Sequence, residues 1–292
     1  MRRLIIRPGA IGDCILSLPA MEHLRAGYTE VWVARQNVPL VRFADCVRAI
    51  QSTGLDMVGL PGVEPPAATL RALERFDSIV SWYGAAREDF RAAVGQLPFT
   101  FLQALPDELR DAGAAADPRS SGGPVMHAAD WFLRQAGGSG TAVPRIECPR
   151  HDGDGPRGHA TGMQNGPGFA VIHPFSGSAR KNWPLERFRA LAERLPLPVQ
   201  WCAGPEEALE NPVRFDDLYE LGRWLATARL YIGNDSGITH LAAAVGTPSV
   251  ALFGPTDPRV WAPRGPCVTV IRGSGGSMES IAVEEVLARL PL

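Results

Sequence analysis

The sequence has no C-x-x-C pair, no long apolar run and no excess of basic residues, and each absence removes a class of function. Its five cysteines, Cys14, Cys46, Cys148, Cys202 and Cys267, are scattered and odd in number. That spacing argues against a structural zinc site and a disulfide framework, and free thiols fit a reducing compartment. No stretch approaches the roughly 18–20 apolar residues that span a bilayer. The N-terminus runs from Arg2-Arg3 into Leu4-Ile5-Ile6 and is interrupted at once by Arg7 and Pro8, too short for the apolar region of a secretory signal. A cytoplasmic protein is expected. The formal net charge of -2 carries no electrostatic footprint for nucleic acid, and none is expected as a partner.

What is present is an ordinary globular composition, 45% hydrophobic and 21% charged over 292 residues, enough for two domains of average size. The first half alternates short apolar runs with amphipathic segments. Strands are predicted at Leu4–Ile6, Glu30–Ala34, Met57–Leu60 and Ser78–Trp82, with a helix carrying Ile15, Leu18, Met21 and Leu24 after the first. A Gly-, Pro- and His-rich stretch from Arg150 to Gly168 reads as a linker. A second alternating series follows, with strands at Phe169–His173, Pro198–Ala203, Leu230–Gly233, Ser249–Phe253 and Val268–Ile271. Helices are predicted at Pro184–Arg194, Leu221–Thr227, Ser236–Val245 and Ser280–Leu290. Strand-helix alternation implies parallel sheets, the α/β class. The expected domains are residues 1–155, 156–278 and a C-terminal helix over 279–292 returning to the N-terminal domain. In doubly wound sheets ligands bind beyond the carboxyl ends of the strands, so the turns there carry the functional reading.

Three such turns stand out. In Gly233-Asn234-Asp235-Ser236-Gly237-Ile238-Thr239-His240, Asp235 is suited to cap a helix and the small residues after it leave first-turn amides open to a pyrophosphate. His240, one turn in, is placed to donate to a phosphate oxygen; a well-capped helix with a packed histidine is the competing reading. The turn His173-Pro174-Phe175-Ser176-Gly177-Ser178-Ala179-Arg180-Lys181 offers hydroxyls and a point charge to a diphosphate, against a solvated loop with incidental cations. The turn Gly9-Ala10-Ile11-Gly12-Asp13 lacks the full dinucleotide fingerprint, and the second strand ends at Arg35 rather than an acidic residue, which disfavours a dehydrogenase. Asp13 reads as a carboxylate aimed into the cleft, where it could act as a general base, or as a cap of its own helix. Asp152-Gly153-Asp154 has no strand before it and no converging oxygens nearby, so no metal site is expected.

Together these strings resemble glycosyltransferase family 9, the ADP-heptose:lipopolysaccharide heptosyltransferases. The matching residues are Arg7-Pro8-Gly9-Ala10-Ile11-Gly12-Asp13 with Leu18-Pro19, then Lys181-Asn182-Trp183-Pro184 with Phe188. They continue with Asp235-Ser236-Gly237, His240-Leu241-Ala242-Ala243-Ala244, Gly246-Thr247-Pro248 and Leu252 through Pro258. The resemblance implies a GT-B fold of two Rossmann-like domains facing across a cleft, with the acceptor on the N-terminal domain (Gly9, Gly12) and an ADP-sugar on the other. It implies inverting, metal-independent transfer of a heptose or similar sugar to a hydroxyl of a lipopolysaccharide-core or other glycan acceptor, without a cofactor. Asp13 would be the base. Lys181, Ser236, Gly237 and His240 would hold the leaving diphosphate with Asp235, Ser176 and Gly177, and Glu206 would contact the nucleoside. A glycolipid acceptor would bring peripheral contact with the inner membrane face. A same-fold transferase with another donor, or a non-catalytic sugar-nucleotide-binding relative, are the alternatives. The chain departs from the pattern between Gly204 and Gly233, where it is short.

Overall fold

The computed structural model describes residues 1–103, 125–148 and 168–291. They divide into two compact units, the first holding residues 1–103 and Ala128–Ala142, the second holding 125–127 and the described residues from Val143 onward. The expected boundary at 155/156, the linker and most of the Asp152-Gly153-Asp154 neighbourhood lie outside the described residues.

The first unit is built on a five-stranded parallel sheet of order β3-β2-β1-β4-β5. Its strands are β1 (Arg2–Arg7), β2 (Tyr28–Val33), β3 (Cys46–Ala49), β4 (Ser78–Ser81) and β5 (Phe99–Phe101). Helices α1 (Ile11–His23), α2 (Ala67–Leu73), α3 (Glu88–Ala93) and α4 (Ala128–Gln135) surround it. Side chains alternate across a strand. Leu4 and Ile6 of β1 therefore join Trp32, Ile79 and Phe90 in one buried cluster, while Ile5 and Arg7 project to the face where α1 and α4 pack. Both faces are covered, as all-parallel sheets require.

This sheet departs from the sequence reading at three places, one expected strand being absent and two strands, β3 and β5, being unexpected. Met57–Leu60 is not a strand: Leu55–Met57 is a short 3-10 turn, and Leu55 and Val58 enter the core from a loop. The third strand is Cys46–Ala49, which pairs with β2 in the register Glu30↔Cys46 to Val33↔Ala49. It is an edge strand with an exposed Arg48 that pairs Glu30 at 2.9 Å, so it shows no apolar run to read.

The second unit carries a five-stranded parallel sheet of order β10-β9-β8-β6-β7. The strands are β6 (Ala170–His173), β7 (Val199–Trp201), β8 (Leu230–Asn234), β9 (Ser249–Phe253) and β10 (Val268–Arg272). The helices are α5 (Leu185–Arg194), α6 (Leu218–Leu225), α7 (Gly237–Ala244), α8 (Pro258–Trp261) and α9 (Val283–Leu287). Ile172, Ile232, Leu252 and Ile271 meet Trp183, Phe188 and Leu191 in its core. The last helix, α9, packs on α5 in this unit, where Val286 is buried in the core.

Counted within each unit, the strand orders differ: 3-2-1-4-5 in the first and 2-1-3-4-5 in the second. Both reverse direction at one point, between β1 and β4 and between β6 and β8. In doubly wound folds ligands bind at such switch points, beyond the carboxyl ends of the strands. All three turns singled out from sequence follow β1, β6 or β8.

Candidate functional site

In the first unit the turn after β1 is shaped around Asp13. Gly9 has φ +119°, and a Cβ there would lie 3.0 Å from both Cβ and Oδ2 of Asp13, so glycine is required for backbone conformation and for space. Asp13 sits at the third position of α1, and its Oδ2 accepts from the Ala10 N–H at 3.1 Å. The capping role weighed from sequence is thus realised. It does not consume the carboxyl group, since Asp13 remains 32% exposed and its Oδ1 lies 3.6 Å from Arg7 Nη2. Gly12 stands in the first turn of α1. Asn37, fully buried, donates to the carbonyls of Gly9 and Ala10 at 3.2 and 3.4 Å and clamps the turn from β2's side.

Arg7 stands out in the sequence only as part of a string, yet it is the most heavily engaged residue of this turn. It is 2% exposed. Nε donates to Ser17 Oγ at 2.6 Å, Nη1 to the Pro8 carbonyl at 2.8 Å and Nη2 to the Asp13 carbonyl at 3.3 Å. The guanidinium also lies 4.7 Å from the Phe132 ring centroid and 5.7 Å from that of Trp82, within cation–π range. Burial pulls Arg7 below its ordinary value, and the Asp13 carboxylate opposes that shift. Burial likewise pushes the neighbouring Cys14 thiol up to about 12, which makes it a packing residue rather than a nucleophile.

In the second unit the loops after β6, β8 and β9 converge on one carboxylate. Asp235 Oδ2 accepts from Lys181 Nζ at 2.7 Å and from Thr256 Oγ1 at 2.7 Å. Asp235 is 7% exposed and Lys181 30%, so the cation reaches the surface through a buried partner. Asp235 does not cap α7, as the sequence reading had it. Ser236 does, with Oγ accepting from the Thr239 N–H, and Asp235 is released for the ion pair. Gly237 opens the helix, whose first N–H groups lack intrahelical acceptors. His240 is buried one turn in, its N–H bonded to the Ser236 carbonyl at 3.3 Å. Gly233 is required by packing: a Cβ there would stand 2.5 Å from the Tyr231 hydroxyl, which reaches along the strand to Thr239 Oγ1 at 3.1 Å.

Asn234, read only as part of a string, holds these loops in register. Its Oδ1 accepts from the Trp183 N–H at 3.0 Å and its Nδ2 donates to the Pro174 carbonyl at 2.8 Å. Ser176 Oγ lies 2.8 Å from both the Ser178 carbonyl and Asn182 Oδ1, so this hydroxyl shapes its own loop. Gly177 is exposed, with open space where a Cβ would stand.

Glu206 is exposed; the acid built into the structure is its neighbour Glu207. Oε2 of Glu207 accepts from the Gly204 N–H at 2.6 Å and lies 3.1 Å from His173 Nε2. Burial raises the Glu207 carboxyl, but the His173 bond and the Gly204 N–H outweigh it, and the group titrates below its ordinary value of 4.5. A carboxyl depressed by folding stabilises the protein above its unfolded pKa and loses that contribution as pH falls through the folded one. Glu207→Gln should therefore lower stability by roughly 1 kcal/mol at neutral pH. The difference in melting temperature from the parent should shrink below pH 4.5; a difference independent of pH would contradict the assignment.

Among the described residues, no group of three or more His, Cys, Asp or Glu side chains could hold a metal ion, and Asp152-Gly153-Asp154 lies outside them. Among the same residues no helix is long and apolar enough to cross a membrane.

The deciding observation is that the stretch carrying Asp235, Ser236, Gly237, His240 and Thr256 matches a family model. Residues 216–288 match glycosyltransferase family 9 (heptosyltransferase). Parts of curated relatives match as well. Lipopolysaccharide heptosyltransferase 3 of Escherichia coli is 32% identical over 120 residues, 34% of this chain and 34% of that protein. Lipopolysaccharide heptosyltransferase 1 of Salmonella typhimurium is 36% identical over 105 residues, 31% of this chain and 33% of that one. The curated relatives are thus matched over about a third of their length. The fold is shared far more widely: the structure of E. coli ADP-heptose lps heptosyltransferase II superposes with a TM-score of 0.68 over 99% of this chain and 97% of its own, at 18% identity. The two doubly wound units are therefore those of the GT-B fold found in family-9 enzymes.

Proposed function

We propose that this chain is an inverting glycosyltransferase that moves a heptose, or a similar sugar, from an ADP-sugar to a hydroxyl of a lipopolysaccharide-core or other glycan acceptor. The observation that carries the reading is the cluster in which Lys181, Asp235 and Thr256 meet beside the N-terminus of α7, inside the stretch that matches family 9.

A helix N-terminus with small first-turn residues favours an anion, and a lysine held in place by a buried carboxylate adds a fixed positive charge. Such preorganised charge stabilises a diphosphate as it departs. The reaction then needs a base. Asp13, partly exposed at the switch point of the first sheet, would take the proton of the acceptor hydroxyl. The oxygen attacks the anomeric carbon opposite the leaving group, the carbon–oxygen bond to the diphosphate breaks with its electrons, and ADP departs. The transition state is oxocarbenium-like. With positive charge supplied by Lys181 and α7, no metal and no cofactor is required. A cytoplasmic location, with the acceptor presented at the inner membrane face, fits a chain of this kind.

Calorimetric titration with ADP, UDP, GDP and CDP, each with and without EDTA, tests the donor side. ADP is expected to bind at least tenfold more tightly than the others and to be indifferent to EDTA. Preference for another base moves the function to a same-fold transferase with a different donor. Loss of binding in EDTA overturns metal independence, and no binding to any of the four overturns the donor site.

A further inference from the structure

We propose that Arg7, with Ser17, is a positioning residue for the base: it sets where the Asp13 side chain stands at the end of β1. The inference rests on the reading of Asp13 given above and adds to it a residue with no surface of its own.

The geometry is that of a clamp on one peptide unit. The Asp13 carbonyl accepts from Ser17 Oγ at 2.7 Å and from Arg7 Nη2 at 3.3 Å. Ser17 is in turn fixed by Arg7 Nε at 2.6 Å. The same Nη2 lies 3.6 Å from Asp13 Oδ1, while the Ala10 N–H holds the other carboxylate oxygen at 3.1 Å. Asp13 is thus gripped at its backbone and at both side-chain oxygens, on the first turn of a helix whose entry is fixed by Gly9 at φ +119°. Among the described residues Asp13 is the carboxylate that pairs with Arg7, and the Arg7 side chain is almost closed to water. A cation held 2% exposed is costly unless paired, and hydrophobic residues would fill the space between Phe132, Trp82 and α1 without that cost. A planar fork spending three directions on one turn is what orientation requires. Lysine, a single point charge, cannot reproduce it.

The test is a set of cycles with Arg7→Lys and Ser17→Ala, each made in the parent and in Asp13→Asn. Turnover, both KM values, ADP affinity and melting temperature are read for every protein. Arg7→Lys is expected to lower kcat about tenfold to hundredfold in the parent, since misplacing a catalytic group by about 1 Å costs that much. KM and ADP affinity should stay within about twofold. In Asp13→Asn the same change should alter kcat by less than about twofold, because the group it positions is gone. Ser17→Ala should show the same pattern more weakly, and it decides the matter if Arg7→Lys fails to fold. An equal loss of kcat in both backgrounds would make the clamp structural only, and parental turnover in both single variants would remove it. Full turnover in Asp13→Asn, or no transfer by the parent, would instead bring down the base assignment, and the positioning role with it.

Discussion

Asp13→Ala should turn over about 10²–10⁴ times more slowly than the parent, the range expected when a general base is removed, while its affinity for ADP stays unchanged. The residues proposed to hold ADP all belong to the second unit, and Asp13 belongs to the first. The substitution has a second effect that must be separated from the first. It deletes the acceptor of the Ala10 N–H and the carboxylate facing a buried guanidinium, at about 1–2 kcal/mol given that Asp13 is partly exposed. Asp13→Asn keeps a neutral oxygen in place and should melt closer to the parent, yet it cannot accept the proton. Both variants should therefore be equally inactive but unequally stable. Activity that tracked stability across the pair would mean that Asp13 is a cap and nothing more.

Lys181→Ala should weaken ADP binding about tenfold to hundredfold, corresponding to one lost charge-assisted hydrogen bond. It also strands Asp235, 7% exposed, with the Thr256 hydroxyl, and should lower the melting temperature by several degrees. Asp235→Asn relieves that burden. The double variant Lys181→Met with Asp235→Asn should regain most of the stability of the parent and none of the affinity, because replacing both partners of a buried pair is far less costly than removing one. Calorimetry and a melting curve on the same four proteins separate the two. Affinity restored together with stability would show that Lys181 supports the loop without touching the ligand.

The site was legible where its chemistry lies in turns after strands. Glycine, aspartate and small residues cluster there, so the turns holding Asp13, Lys181 and Ser236–Gly237 stood out by position, while the roles given to those residues were implied only by the family-9 resemblance. What escaped was set by distant partners. Arg7 ends a strand, and arginine is rarely buried; its burial follows from Ser17 on the next helix and from Phe132, far along the chain. The alternation of β1 held a clue, since Arg7 shares the face of the fully buried Ile5. Asp235 and Ser236 are both good caps, and the choice between them was made by Lys181 and Thr256, from other loops. Glu207 differs from Glu206 only in the side of the loop that His173 and Gly204 occupy. Edge strand β3, with Arg48 exposed and its other residues only part-buried, offered no apolar run to read.

Trp183 has a consequence for how the second unit comes apart. Its indole N–H and Nη1 of Arg187 share the Ile281 carbonyl, at 3.0 and 2.6 Å, which ties the end of the diphosphate-side loop and the start of α5 to the stretch of chain before α9. Elements joined in this way open as one cooperative block rather than fraying independently. The tail, remote in sequence from every residue that would touch a sugar nucleotide, thereby helps set how often that loop loses its shape.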